Sequence, residues 1–259
     1  MNYLTEIYRY RYFWVHLALS DLRARFRRSY LGVLWVVLQP LLLTLIIATV
    51  LKYVFHQDMV TYSVYIFSGL LAWEFISGCV NFGAMSFLSA EGYVKQVRLP
   101  MAIYPLKTVL YCTIIFSMAF MGFSLYAFLL QPDIFSWNWL YLIPFLIVLT
   151  IFGAPLAMIS AIINVKFRDF QQFIGLLLQI VWYTSPVFLP REVFNQPLLR
   201  DITAINPIAA LLDLLRRPLL DGLAPNFINY ALVLVWAAAL WILAAWMLNR
   251  NERKIVFYY

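Results

Sequence analysis

Charge is the scarcest property of this 259-residue sequence. Asp, Glu, Lys and Arg together make up 12% of it, about half the roughly 25% of a soluble domain, so a water-facing surface wrapped around one core is excluded. Cysteine is nearly absent. Cys79 and Cys112 both lie in apolar segments without CxxC spacing, which excludes a disulfide framework and a thiolate metal site. No G-x-x-x-x-G-K-[ST] phosphate loop occurs; the Lys107-Thr108 pair follows Leu106 and lacks the glycines whose amides would cradle phosphates. Neither HExxH nor GxSxG is present, and no apolar segment carries the paired carboxylates of an ion relay. These absences leave no catalytic constellation, no metal site and no cofactor bound by this chain.

Apolar residues are what the sequence has in abundance. They make up 64% of it, with a mean hydropathy of +0.81, and together these mark an all-α integral membrane protein. The length suits one transmembrane domain over 1–259, with about six spans and short loops. The net charge of +7 is set by lysines and arginines at span ends, where they fix orientation, so nucleic acid is not the expected partner. The first apolar run is too long for a signal-peptide core, and no small-x-small cleavage site follows it.

Orientation is read from the stretch Asp21 to Leu45. Arg23, Arg25, Arg27 and Arg28 lie just before an apolar run from Leu31 to Val50, broken only by Gln39, Pro40 and two threonines. The arginines belong in the cytoplasm. Before them, Val15, Leu19, Leu22 and Phe26 form one helical stripe and His16, Ser20, Arg23 and Arg27 another. Residues 1–28 therefore read as a cytoplasmic amphipathic helix in the headgroup region. A six-span bundle over 31–248 follows, with spans at about Leu31–Phe55, Val60–Phe87, Thr108–Leu130, Leu140–Ile163, Phe170–Phe188 and Phe227–Leu248, and a cytoplasmic tail at 249–259.

Details of the loops and spans sharpen this layout. Glu74 sits near the middle of span two, where a carboxylate costs roughly 3 kcal/mol unless it faces protein or water, so it should point into the bundle. The loop Ser89 to Lys107 has room for one short helix before Pro100. Span four carries Gly153, Ala157 and Ala161 at four-residue spacing, a ridge for close helix packing. Between spans five and six, Leu198–Ile205 and Ile208–Leu220 are too short to cross and are divided by Asn206 and Pro207, a helix cap and a favoured first helical residue. They read as a re-entrant or interfacial helical pair. Fourteen of the nineteen basic residues then fall on the cytoplasmic side, which places both termini there.

Five ordered pieces resemble the membrane subunit of type-2 ABC exporters for lipid-linked polysaccharides such as O antigen, capsule or teichoic acid. They are RRSYLGVLWVVLQPLL at Arg27–Leu42, VKQVRLP at Val94–Pro100, the FRD turn at Phe167–Asp169, SPVFLP at Ser185–Pro190, and INPIAALLDLLRRPLLDG at Ile205–Gly222. The resemblance implies a permease in the bacterial cytoplasmic (inner) membrane, working as a homodimer on a separate ATPase pair that binds the ATP and Mg. It implies a coupling helix at Tyr93 to Leu99, including Val94, Lys95, Val97 and Arg98, with Arg168 and Asp169 near the same interface. It also implies an outer gate over Pro186 to Gly222, marked by Pro186, Asn206 and Pro207. Gln96, which separates Lys95 from Val97, departs from the family's commoner run of adjacent basic residues.

A glycan path needs hydroxyl partners beside flat apolar faces, and amides next to aromatic rings supply both. On span one Trp35, Gln39, Ile46, Val50 and Tyr53 fall near one face. On span five Gln172, Gln179 and Pro186 share a face with Trp182 and Tyr183 beside them. Interfacial aromatic belts and interhelical amide bonds are the structural alternative for the same residues. Two other functions fit the fold class: a type-2 exporter of drugs or other small amphiphiles, and an ion-coupled transporter. The latter should show intramembrane carboxylates in both halves, and only Glu74 is present.

Overall fold

The computed structural model describes residues 3–56, 58–97 and 99–255. Among them the secondary structure is helical, without strands, as expected where backbone groups must be satisfied within their own segment. The order is α1 (Tyr3–Arg9), α2 (Arg11–Phe26), α3 (Trp35–Phe55), α4 (Met59–Met85), α5 (Glu91–Gln96), α6 (Ile103–Leu130), α7 (Leu142–Lys166), α8 (Phe170–Thr184), α9 (Pro197–Ile205), α10 (Pro207–Leu219) and α11 (Phe227–Ile255).

Five segments are long and apolar enough to cross a membrane: Gly32–Val54, Met59–Met85, Ile103–Leu130, Trp137–Lys166 and Phe227–Glu252. They coincide with the expected spans one to four and six. The expected fifth span is shorter than its drawn range of Phe170 to Phe188. Its helix, α8, has 15 residues and is about 22 Å long, short of the roughly 30 Å hydrocarbon core. Ser185 ends it at φ −113° and ψ 146°, because a residue before proline is driven out of the helical region.

The central post is α4, which packs against α3, α6, α7, α8 and α10. At its N-terminal end Asp58 accepts from the Thr61 amide at 2.9 Å, satisfying an amide with no intrahelical partner. The Thr61 amide and hydroxyl together hold the Asp58 carboxyl below its ordinary range. Toward its C-terminal end α4 touches α7 backbone to backbone: a Cβ on Gly83 would stand 2.6 Å from the Ala157 Cα. The expected ridge of Gly153, Ala157 and Ala161 is buried on α7, so small residues set the approach of these two helices.

The N-terminal helix does more than float at a surface. The expected stripe is half-buried or better, but its most covered residues are Leu17 and Ala18, and the face is set by packing of α2 on α6. Polar groups fasten the two: Lys107, buried on α6, pairs with Asp21 at 2.5 Å, and Arg25 donates to the Tyr111 hydroxyl at 2.9 Å.

The buried residues form two clusters. The larger joins the cores of α3, α4, α6, α7 and α10. The smaller gathers Val94 of α5, Tyr104 of α6, Val165 of α7 and Leu248 of α11. The helical pair α9–α10 divides accordingly, for α9 buries no residue while α10 is buried along most of its length. Asn206 caps α10, accepting from the Ile208 amide at 2.9 Å, as its place before Pro207 predicts.

On α10 lies Arg216, fully buried at 0% exposure. Its guanidinium donates to the carbonyls of Pro186 (2.5 Å), Val187 (2.6 Å) and Tyr65 (3.1 Å) and to the Ser68 hydroxyl (3.3 Å), and it lies 3.6 Å over the Tyr65 ring. Gly69 makes the room: a Cβ there would fall 2.1 Å from the Val187 oxygen and 2.3 Å from Arg216 Nη2. The planar fork, with its fixed donors, is what binds four acceptors at once. Arg216→Lys keeps the charge but strands some of those carbonyls, at a cost of about 3 kcal/mol. A lower melting temperature in detergent and faster proteolysis between Ser185 and Pro190 are expected, and an unchanged melting curve would disprove the anchoring role.

Candidate functional site

The expected path residues of α3 all stand on the outside of the bundle. Trp35, Gln39, Ile46, Val50 and Tyr53 recur at helical spacing along one exposed face, Tyr53 being 74% exposed. Among the described residues their side chains make no hydrogen bond, while the opposite face, with Val36, Thr44 and Ala48, is buried. Helix α8 behaves similarly. It packs on α4, α7 and α9 yet buries no residue, and Gln172, Gln179 and Tyr183 are exposed. Trp182 turns inward, its ring 4.7 Å from Phe188 and 5.2 Å from Tyr183.

Between these two helices stands α4, and it adds a feature that the pattern of aromatics and amides did not reveal. Along its inner half, Glu74 is exposed and Ser77 and Asn81 are half-buried, while most of the surrounding helix is buried. Spacings of three and four residues put the three on one face. Glu74, Gln39 and Trp35 line a cavity of about 210 Å³ with Arg25, Tyr111 and Phe116. Among the described residues the Glu74 carboxylate makes no ion pair. The expectation that it points into the bundle holds only as far as this recess, which opens to the protomer's surface. Its signal in the sequence was the polar triplet Glu74, Ser77 and Asn81 inside an apolar run.

The loop expected to hold one short helix does so, in a register shifted from the expected Tyr93 to Leu99. Helix α5 covers Glu91–Gln96, and Val97 ends it with extended backbone at φ −132° and ψ 130°. Tyr93 and Val97 are thus not two positions of one helical edge, though both are exposed, at 46% and 50%. Val94 faces inward and is buried with Val165. Tyr93 leans edge-on against Phe13 of α2, centroids 6.0 Å apart, and Lys95 pairs with Glu91 of its own helix. Arg98 lies outside the described residues. Arg168 and Asp169 are exposed in the turn between α7 and α8, at the end of α7 whose Val165 belongs to the same buried cluster as Val94 of α5.

At the other end, Pro186 and Asn206 of the expected gate are brought together. Pro186 gives its carbonyl to Arg216, and Asn206 donates to the hydroxyl of the adjoining Ser185 at 2.8 Å. Pro207 begins α10. Nearby, a pocket of about 390 Å³ is lined by Thr61, Tyr62, Tyr65, Gln131, Arg191 and Asp221, with Arg191 bridging Asp221 at 3.1 Å and Asp213 at 3.6 Å. The arginines of this outer segment were legible as charges in the sequence, but not that one of them is a buried anchor.

Taken together, the chain is a helical membrane bundle with an exposed amide and aromatic face, a short helix held at one end and a fastened helical pair at the other. Known proteins share this sequence pattern. Residues 13–220 match the ABC-2 type transporter family. An O-antigen export system permease protein, RfbA, of Myxococcus xanthus is 28% identical over 244 residues, 90% of this chain and 92% of that protein. A namesake from Klebsiella pneumoniae is 25% identical over 210 residues, 78% of each. The polysialic acid transport protein KpsM of Escherichia coli is 23% identical over 212 residues, 80% of each. The family match covers well over half of the sequence, and the chain belongs to the ABC-2 type transporter family.

Proposed function

We propose that the chain is the permease subunit of an ATP-driven exporter that carries a lipid-linked polysaccharide, O antigen foremost, across the bacterial cytoplasmic membrane. What carries the reading is the likeness, over nine-tenths of both lengths, to a protein named for O-antigen export. The exposed face of Trp35, Gln39 and Tyr53 supports it, because rings beside amides suit a chain of hydroxylated rings. Glu74, Ser77 and Asn81 extend that face with further acceptors.

In this reading the chain works as a homodimer, since one protomer presents its path residues on an outer surface with nothing opposite. A separate ATPase pair holds ATP and Mg and docks beneath. The bundle then has six spans, α8 completing its crossing with the extended segment after Ser185, and both termini lie in the cytoplasm. The pair α9–α10 re-enters from the far side. Single cysteines test this topology against a quiet background, because Cys79 and Cys112 are both buried. Cysteines at Asp133 and Gln196 should react with an impermeant reagent from outside, and one at Gln96 should not; the reverse pattern would sink the arrangement.

The path residues have their own test. Gln39→Leu, Gln179→Leu or Glu74→Gln should leave insertion and dimerisation intact while lowering export, as sugar contacts are lost. Loss of dimer stability with normal export would make them interhelical contacts instead.

The ATPase contact centres on α5, a helix between two spans on which Tyr93 is exposed, with Val97 exposed just after it and Arg168 and Asp169 exposed in the turn after α7. Removing an aromatic anchor from an interface costs roughly 2 kcal/mol or more, about thirtyfold in affinity, whereas an exposed pair such as Lys95–Glu91 contributes little. Tyr93→Ala should therefore reduce ATPase co-purification and export together, and Lys95→Ala should alter chiefly the salt sensitivity. Full ATPase binding by a Tyr93→Ala, Val97→Ala double variant would leave α2 as the main contact.

A further inference from the structure

The two ends of the described chain meet behind α5, at the first turn of α6. The Tyr3 hydroxyl donates to Glu252 Oε1 at 2.7 Å. The Met101 amide donates to the same oxygen at 3.3 Å, and the Ala102 amide donates to the Tyr3 hydroxyl at 3.2 Å. These amides stand where a helix leaves its first N–H groups without intrahelical acceptors. The local sequence Pro100-Met101-Ala102 has no side chain that could accept from them, and α6 has no side-chain cap of its own. Glu252, from the far end of α11, supplies the missing acceptor, and a carboxylate in that position also suits the helix dipole.

The surroundings make this a fixed contact. Val94 of α5, Met101, Ala102, Leu248 and Ile255 form one buried cluster with Tyr3 and Ile7 of α1 packed on it. Burial first, and then the charge of Glu252, hold the Tyr3 phenol well above its ordinary range, so it stays a donor. Tyr3 and Glu252 both lie outside residues 13–220, where the family match falls.

We propose that Glu252 and Tyr3 are positioning residues for energy coupling: they lock the exit of α5 to α11, so that a push on α5 moves α6 and α11 as one body. This rests on the reading that α5 receives the ATPase. Without the lock, a displacement of α5 would be taken up before it reached α6, and hydrolysis would proceed with less transport. A two-arrangement element biased by a few side chains typically changes coupling by a factor of about two to thirty.

The test uses the full permease with its ATPase partner in proteoliposomes, scoring ATPase co-purification, ATP hydrolysis, glycan exported per ATP and melting temperature. Tyr3→Phe and Glu252→Leu should retain the ATPase and lose about threefold or more in glycan per ATP. Glu252→Gln, whose amide oxygen still accepts, should restore most of that ratio. An unchanged ratio in Tyr3→Phe, or a fall in all three variants that follows melting temperature, would overturn the proposal. Should Glu252→Leu fail to assemble, Tyr3→Phe decides, since it removes one oxygen. Failure of the α5 reading is visible separately, as normal ATPase binding by Tyr93→Ala.

Discussion

A guanidinium buried in a membrane bundle tolerates only one arrangement, the one in which its donors are met. Arg216 meets that condition with three carbonyls and a hydroxyl, and the outer end of the molecule follows from it. The chain after α8 has to be extended to aim the Pro186 and Val187 carbonyls inward. Position 69 has to be glycine to admit both the guanidinium and the Val187 carbonyl. Helix α10, in turn, has to lie buried beside α4. An unpaired charge so completely buried costs several kcal/mol, more than the few tenths that separate ordinary surface choices, so this network dominates the local packing.

The inner end is built on a different principle. There the smaller cluster brings α5, α7 and α11 together through apolar side chains, and polar contacts such as Lys107–Asp21, Lys166–Asn251 and Tyr3–Glu252 fasten its edges. Helix α4 runs from the outer network to the inner region, touching most of the other long helices. A displacement at one end therefore has a continuous rigid element through which to reach the other. The faces left over, on α3 and α8, are the ones that the proposed dimer and glycan path require.

The sequence made the spans legible because their signal is summed over some 20 residues, and a residue or two of error at each end hardly alters it. The cap at Asn206 and the ridge at Gly153, Ala157 and Ala161 were legible because their physics is local. Three features were not. The end of α8 at Thr184 depends on Pro186 and on where its carbonyl must point, which hydropathy does not register. Helix α5 ends at Gln96, short of the stop expected at Pro100, and no capping residue marks that end in the sequence. Arg216 looked like one outer charge among four, since the partners that bury it come from Tyr65, Ser68 and Pro186, between 30 and 151 positions away.

Glu74 shows why site residues are harder to read than folds. From sequence alone, a carboxylate in a span has to face protein or water, and pointing into the bundle satisfies that condition. The structure offers the other solution, a recess beside Trp35, Gln39 and Arg25 that opens on the surface of the protomer. In lipid that position would be costly. It becomes tolerable when the face is turned toward a hydrated path or a second copy, so the exposure of Glu74 and that of the α3 stripe call for the same explanation. Gln39 and Glu74 lie on different helices and share one cavity. Their common exposure is thus a property of the protomer's surface rather than of either helix, and it ties the acid to the expected amide and aromatic path more closely than any spacing within α4 could.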